Sequence, residues 1–156
     1  MTKELADSDV ETINIRRLLI FRNSLHEFIS TLQGHIYFFV IESAWKKLVK
    51  RLEKVKTFSN VFKYHFEYLK AIGEGSFVFK KKNIGHELVL GVMSIVSNLS
   101  GIVNYLKIGM NYDENTNNLQ NRLNKLEGKF DNIKAQLNHI MTKNLEGQDK
   151  AGIVDD

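Results

Sequence analysis

The chain has 156 residues, of which 43% are hydrophobic and 26% charged, and its formal net charge is +4. That is the composition of a folded chain, and at this length roughly 68–70% of the unfolded surface can be buried around one core. Cysteine is absent, which excludes disulfides, thiolate nucleophiles and Cys-rich zinc sites. The mild basic excess favours acidic partners without singling out nucleic acid.

Proline is absent too, although average usage would supply about eight in a chain this long. Without the residue that removes an amide donor and clashes with the preceding turn, long uninterrupted helices are favoured. No stretch of about 18 uncharged apolar residues exists, and the polar start MTKELADSDVE lacks the apolar region of a signal peptide. The expectation is a soluble intracellular protein with no membrane insertion.

Residues 1–9 read as a polar lead-in, with Asp7, Ser8 and Asp9 placed to cap a following helix. The first helix is predicted from Val10 to Glu42, because Leu25, Phe28, Ile29, Leu32, Ile36, Phe39 and Val40 recur three and four residues apart. Beyond Trp45, read as a core anchor, Leu48, Val49, Leu52 and Val55 keep the helical period. Lys46, Lys47, Lys50, Arg51, Lys54 and Lys56 fall mostly on the other side, which makes an amphipathic helix with a basic face. Ser43 leaves open whether this is a second helix or an extension of the first.

Thr57-Phe58-Ser59-Asn60 reads as a turn with Ser59 as N-cap. A shorter helix follows, carrying Val61, Phe62, His65, Tyr68, Leu69 and Ile72 on one side, and Gly73-Glu74-Gly75-Ser76 ends it. Phe77-Val78-Phe79 suits a short strand and, beside Lys80, Lys81 and Lys82, equally a surface loop. From Ile84 to Ile108 the series Leu88, Val92, Ile95, Leu99, Ile102, Leu106 predicts another buried helix. Gly91 and Gly101 inside it each cost about 1 kcal/mol relative to alanine, so they point to a close neighbour.

A polar loop from Gly109 leads to a last helix from Asn118, where Leu119, Leu123, Leu126, Phe130, Ile133, Leu137 and Ile140 keep an a/d pattern over about three heptads. Residues 144–156 read as a flexible tail. The fold class is all-α, a helical bundle of about five helices over 10–143, with a long first helix and a heptad-patterned last one.

Catalytic motifs fail residue by residue. His86-Glu87 and His26-Glu27 begin like a zinc-protease HExxH, but the fifth residues are Leu90 and Ser30. The five histidines include no i, i+4 pair, so no metal site is expected. Gly73-Glu74-Gly75 is too short for a dinucleotide fingerprint or a P-loop, so no cofactor is expected either. The basic residues are not interleaved with exposed aromatics in any nucleic-acid module, and nucleic acid is not an expected partner. The chain is read as a non-enzyme.

The stretch from Arg22 to Trp45, RNSLHEFISTLQGHIYFFVIESAW, combines Phe28, Gln33, the pair Tyr37-Phe38, then Val40-Ile41-Glu42 and Trp45. It resembles the conserved helix of the gamma-tubulin complex proteins. His65-Phe66-Glu67-Tyr68-Leu69 is similar to a second family pattern, and the last helix, with Leu123, Leu126 and Phe130, is similar to the family's closing helix. The likeness covers roughly Ile15 to Met141 and corresponds to the final part of the C-terminal gamma-tubulin-binding domain. Ser43 departs from it, standing where the family usually carries proline, and Gly34 where larger residues are common.

The resemblance implies a non-enzymatic scaffold that binds gamma-tubulin, and other gamma-tubulin complex proteins, in support of microtubule nucleation. Its place would be the cytoplasm and cytoskeleton, at a microtubule-organising centre or spindle pole. Lys47, Lys50, Arg51 and Lys54 are the candidate contacts, chosen for their charge and shared helix; the other reading of that face is a solvated one. The alternative function is a self-associating adaptor that dimerises through Leu119–Ile140 without tubulin, against which the same heptad also suits internal packing.

Overall fold

The structure, a computed structural model, describes residues 2–79, 84–107 and 116–152, with side chains described over 15–79, 84–104, 106 and 118–143. The lysine run at 80–82, the loop at 109–115 and the capping side chains of Asp7, Ser8 and Asp9 lie outside the described residues. The elements are α1 (Thr2–His35), a π-helical segment (Ile36–Glu42), α2 (Ser43–Leu52), α3 (Phe58–Gly75), α4 (Ile84–Lys107) and α5 (Thr116–Gly152). The fold is an all-α helical bundle, and no strand occurs among the described residues. Phe77 to Phe79 is therefore loop and not strand.

Two helices run longer than the spacing predicts: α1 begins at Thr2 and not Val10, and α5 continues to Gly152 through the expected tail. α3 starts at Phe58, with Thr57 in extended conformation before it, so Ser59 lies inside the helix and is not its cap.

Ser43 settles the question of a break. Serine keeps the amide that proline would remove, and the Ser43 N–H donates to the Val40 carbonyl, so the helix runs on into α2. The continuity comes with a change of pitch. Nine residues of ideal α-helix turn through about 900°, which would put Ala44 on the side opposite His35. The wider π turns of Ile36–Glu42 take back about a third of a turn, and Ala44 and Leu48 join Leu32 and His35 among the buried residues.

The described residues fall into two compact units, one formed by Met1–Ile29 with Gly91–Ala135, the other by Ser30–Leu90 with Gln136–Asp156. In the first, three stripes supply the core: Leu18, Phe21, Leu25 and Phe28 of α1, Val92, Ile95, Leu99 and Ile102 of α4, and Leu119, Leu123, Phe130 and Ile133 of α5. Phe130 meets the edges of Phe21 and Phe28, with ring centroids 5.7 and 5.6 Å away. Such edge-to-face pairs add to the burial of the rings themselves. At the rim Arg17 forks onto Glu127, its Nε donating to Oε1 at 2.9 Å and Nη2 to Oε2, and Nη2 also donates to Asn124 Oδ1 at 2.6 Å.

A Cβ on Gly91 would lie 2.7 Å from Ile133 Cδ1, so this glycine does mark a close helix approach; Gly101 meets nothing within 4 Å and does not. α4 is long and apolar enough to cross a membrane by length and composition alone, yet its Val92, Ile95, Leu99 and Ile102 stripe is spent on the core. The heptad is used in the same way. Leu119, Leu123, Phe130, Ile133 and Leu137 are buried within the chain, which leaves the internal-packing reading of that pattern and removes the ground for a dimer seam.

In the second unit α3 packs on α2 and on the π segment. A Cβ on Gly75 would come within 2.6 Å of Val40 Cγ1, so glycine is what lets these two backbones meet. The αL residue after α3 is not a glycine at all but Phe77, at φ 62°. Its ring is buried, and the His86 Nδ1–H donates to its carbonyl at 2.8 Å. Burial and that hydrogen bond offset a conformation costing of order 1–3 kcal/mol.

Trp45 is not a core anchor: it is 53% exposed, touching Tyr68 edge-on at 6.0 Å. Phe62, Leu69 and Phe39, expected on buried faces, are exposed as well. In urea melts, Phe130→Ala should cost about 3–5 kcal/mol, whereas Trp45→Ala should cost less than about 1 kcal/mol. Gly75→Ala should destabilise by roughly 1 kcal/mol net through overpacking, and adding Val40→Ala should recover that loss in a double-mutant cycle.

Candidate protein-binding surface

On α2, Ala44 and Leu48 point inward, Lys46 and Lys50 lie on the far side, and Lys47 and Arg51 flank the buried pair on the side of α3. The four expected contact residues do not share one state. Arg51 pairs with Glu67 of α3 and lies over the Tyr64 ring at 5.4 Å, so it ties α2 to α3. Lys47, Lys50 and Lys54 are exposed and make no ion pair among the described residues. Lys54 sits just past the end of α2, its N–H donating to the Arg51 carbonyl at 3.2 Å. Lys46, a neighbour on the same arc, pairs with Glu42 at 2.8 Å.

Lys47 stands between two concavities. One, of about 470 Å³, is lined by His35, Phe39, Val40, Ser43, Gly75, Phe77 and Ile140; the other, of about 210 Å³, by Leu48, Arg51, Tyr64, Glu67 and Tyr68. Ala44, Lys47 and Ala71 line both. Small side chains at the shared floor and aromatic walls on either side make a shallow trough along α2 and α3, with Lys47 where the two concavities meet.

His35 is the buried polar residue of this region, 7% exposed, and its Nε2 has no hydrogen-bond partner. Sequence spacing had no means of singling it out, because it occupies an ordinary position in the apolar period. Burial lowers its pKa below the usual imidazole value, since a charged ring has no partner there to replace water.

Among the described residues no group of three His, Asp or Glu could hold a metal ion. Fold and surface together define an all-α helical bundle that presents a basic, partly aromatic exterior. The chain belongs to the gamma-tubulin complex component C-terminal family, whose model matches residues 1–153. It is 31% identical over 80 residues to gamma-tubulin complex component 3 of Drosophila melanogaster, a match covering 51% of this chain and 9% of that protein. No solved structure matches the chain significantly.

The His35 environment sets a pH dependence. The unfolded chain, with a histidine pKa near about 6.5, binds the proton more readily than the folded one, so stability is complete above that pH. It is lost as the pH falls from there through the lowered folded value. Denaturant midpoints should drop between about pH 7.5 and 5.5, and His35→Gln, which cannot be protonated, should flatten that part of the profile.

Proposed function

We propose that this chain binds gamma-tubulin as a non-enzymatic scaffold and supports microtubule nucleation, alongside other gamma-tubulin complex proteins, at a microtubule-organising centre or spindle pole. The observation that carries the reading is the family match over residues 1–153. The mechanism is positional. A stiff helical surface holds the partner in a fixed orientation, and no bond is made or broken.

The basic arc of α2 supplies the attraction. Lys47, Lys50 and Lys54 make no ion pair among the described residues, so their field extends into solvent, where it speeds encounter with an acidic surface and selects its orientation. Arg51 has a different part. Its pair with Glu67 fixes the angle at which α3 backs the arc.

Reversing Lys47, Lys50 and Lys54 to glutamate should reduce co-purification with gamma-tubulin at least about tenfold at low salt, with the difference shrinking as ionic strength rises. Unchanged pull-down at both salt concentrations, from a variant with wild-type circular dichroism, would sink the assignment of these residues. The charge swap Arg51→Glu with Glu67→Arg should leave binding near wild type, because it preserves the α2–α3 tie.

A further inference from the structure

The larger cavity beside Lys47 holds chemistry that an outward-facing row of lysines does not account for. It lies wholly within the second unit, between the π segment, α2, α3 and α5. Its volume of about 470 Å³ is that of a small-molecule pocket, and apolar walls around a few polar groups are the usual make-up of one. Phe39 and Phe77 supply aromatic rings to the lining, and Ala44, Ala71 and Gly75 add almost no side chain to it. Flat rings beside small side chains suit a planar occupant.

Two polar groups on this lining are open to a ligand. His35 is 7% exposed and its Nε2 has no hydrogen-bond partner, so that atom bears the full cost of leaving water. Burial favours the neutral ring, which can carry its proton on Nε2 and donate it. Histidine χ2 is a broad torsion, so a ring that already borders the cavity turns its nitrogen to an occupant at small cost. Lys47 is exposed and makes no ion pair among the described residues. Glu74 also lines the cavity, but Lys70 lies 3.9 Å from it, and Lys47 is therefore the charge left for a ligand.

Distance decides the shape of that ligand. His35 and Lys47 are twelve residues apart on one continuous helix, about 18 Å of axial rise. Helical side chains lean toward the N-terminus, so the lysine stem takes back about 6 Å and leaves roughly 10–12 Å between the two polar groups. A single carboxylate cannot touch both. Two fused aromatic rings with a polar group at each end can.

We propose that this cavity binds an elongated planar aromatic carboxylate, its rings against Phe39 and Phe77, its carboxylate on Lys47 Nζ, and an oxygen at the far end accepting from His35 Nε2–H. The anion satisfies the free cation, and the far oxygen gives the buried nitrogen the partner that the fold does not. The pocket stands whether or not gamma-tubulin uses the lysines around it.

The probe is 6-hydroxy-2-naphthoate, titrated calorimetrically into the intact chain, with 2-naphthol, which lacks the carboxylate, as its companion. The hydroxynaphthoate should bind one to one with Kd below about 1 mM, and 2-naphthol at least about fivefold more weakly. At saturation the His35 ring resonances should shift in nitrogen NMR spectra. Lys47→Ala, at an exposed position, should raise the hydroxynaphthoate Kd about fivefold or more with unchanged circular dichroism, and leave the naphthol Kd where it was. Reversing Lys50 and Lys54 to glutamate, both outside the lining, should weaken the hydroxynaphthoate less than Lys47→Ala does, which separates this pocket from the gamma-tubulin contacts. The proposal is overturned by no saturable binding to the wild-type chain, by Lys47→Ala acting equally on both probes, by His35 resonances that stay in place, or by the Lys50 and Lys54 reversal matching Lys47→Ala.

Discussion

The backbone ladder that runs unbroken through Ile36–Glu42 is the constraint on which the rest of the second unit depends. Because Ser43 can donate its amide, the chain has no reason to turn away from the axis of α1. Because the ladder there is π and not α, the buried stripe is re-phased by about a third of a turn. Without that adjustment Ala44 and Leu48 would point to solvent. The irregular segment is thus what keeps Ala44 and Leu48 buried together with Leu32 and His35 in the second unit.

Two kinds of information in the chain were unequally legible. Periodicity located α1 to α5 but not the π character of Ile36–Glu42, and the spacing of Val92, Ile95, Leu99 and Ile102 marked the most deeply buried stripe, because a residue packed on all sides leaves a strict three-and-four signature. The string from Arg22 to Trp45 identified the family. What spacing could not resolve was which of two apolar faces a helix spends on the core. α3 is apolar on both sides, with Tyr64 and Tyr68 against α2 and Phe62 and Leu69 outward, and a sequence pattern assigns no direction to either. Trp45 misled for the same reason, since a large ring on an amphipathic helix reads as core until its neighbours are known.

The candidate contact residues were legible as charges and illegible as partners. Lys47, Lys50, Arg51 and Lys54 look alike in the sequence, and their difference arises sixteen residues away from Arg51, where Glu67 happens to face it across the helix pair. A charge that stabilises the fold and a charge that addresses the outside cannot be told apart until the acidic residues have been placed. His35 was illegible for the opposite reason: the tertiary packing that removes its solvent leaves no trace in the local pattern.

Phe77 has a consequence for how this region can change. A left-handed position after a helix is ordinarily filled by glycine, so its loop can be exchanged, lengthened or grafted with little regard for the interior. Here the residue that adopts the difficult conformation is also the one that fills the space beneath it, and His86 at the start of α4 holds its carbonyl. Glycine would ease the backbone and leave a hole. Any other aromatic would have to accept both the twist and the shape of the cavity. Turn and core are written into one side chain, and the turn at Phe77 is for that reason not a replaceable part.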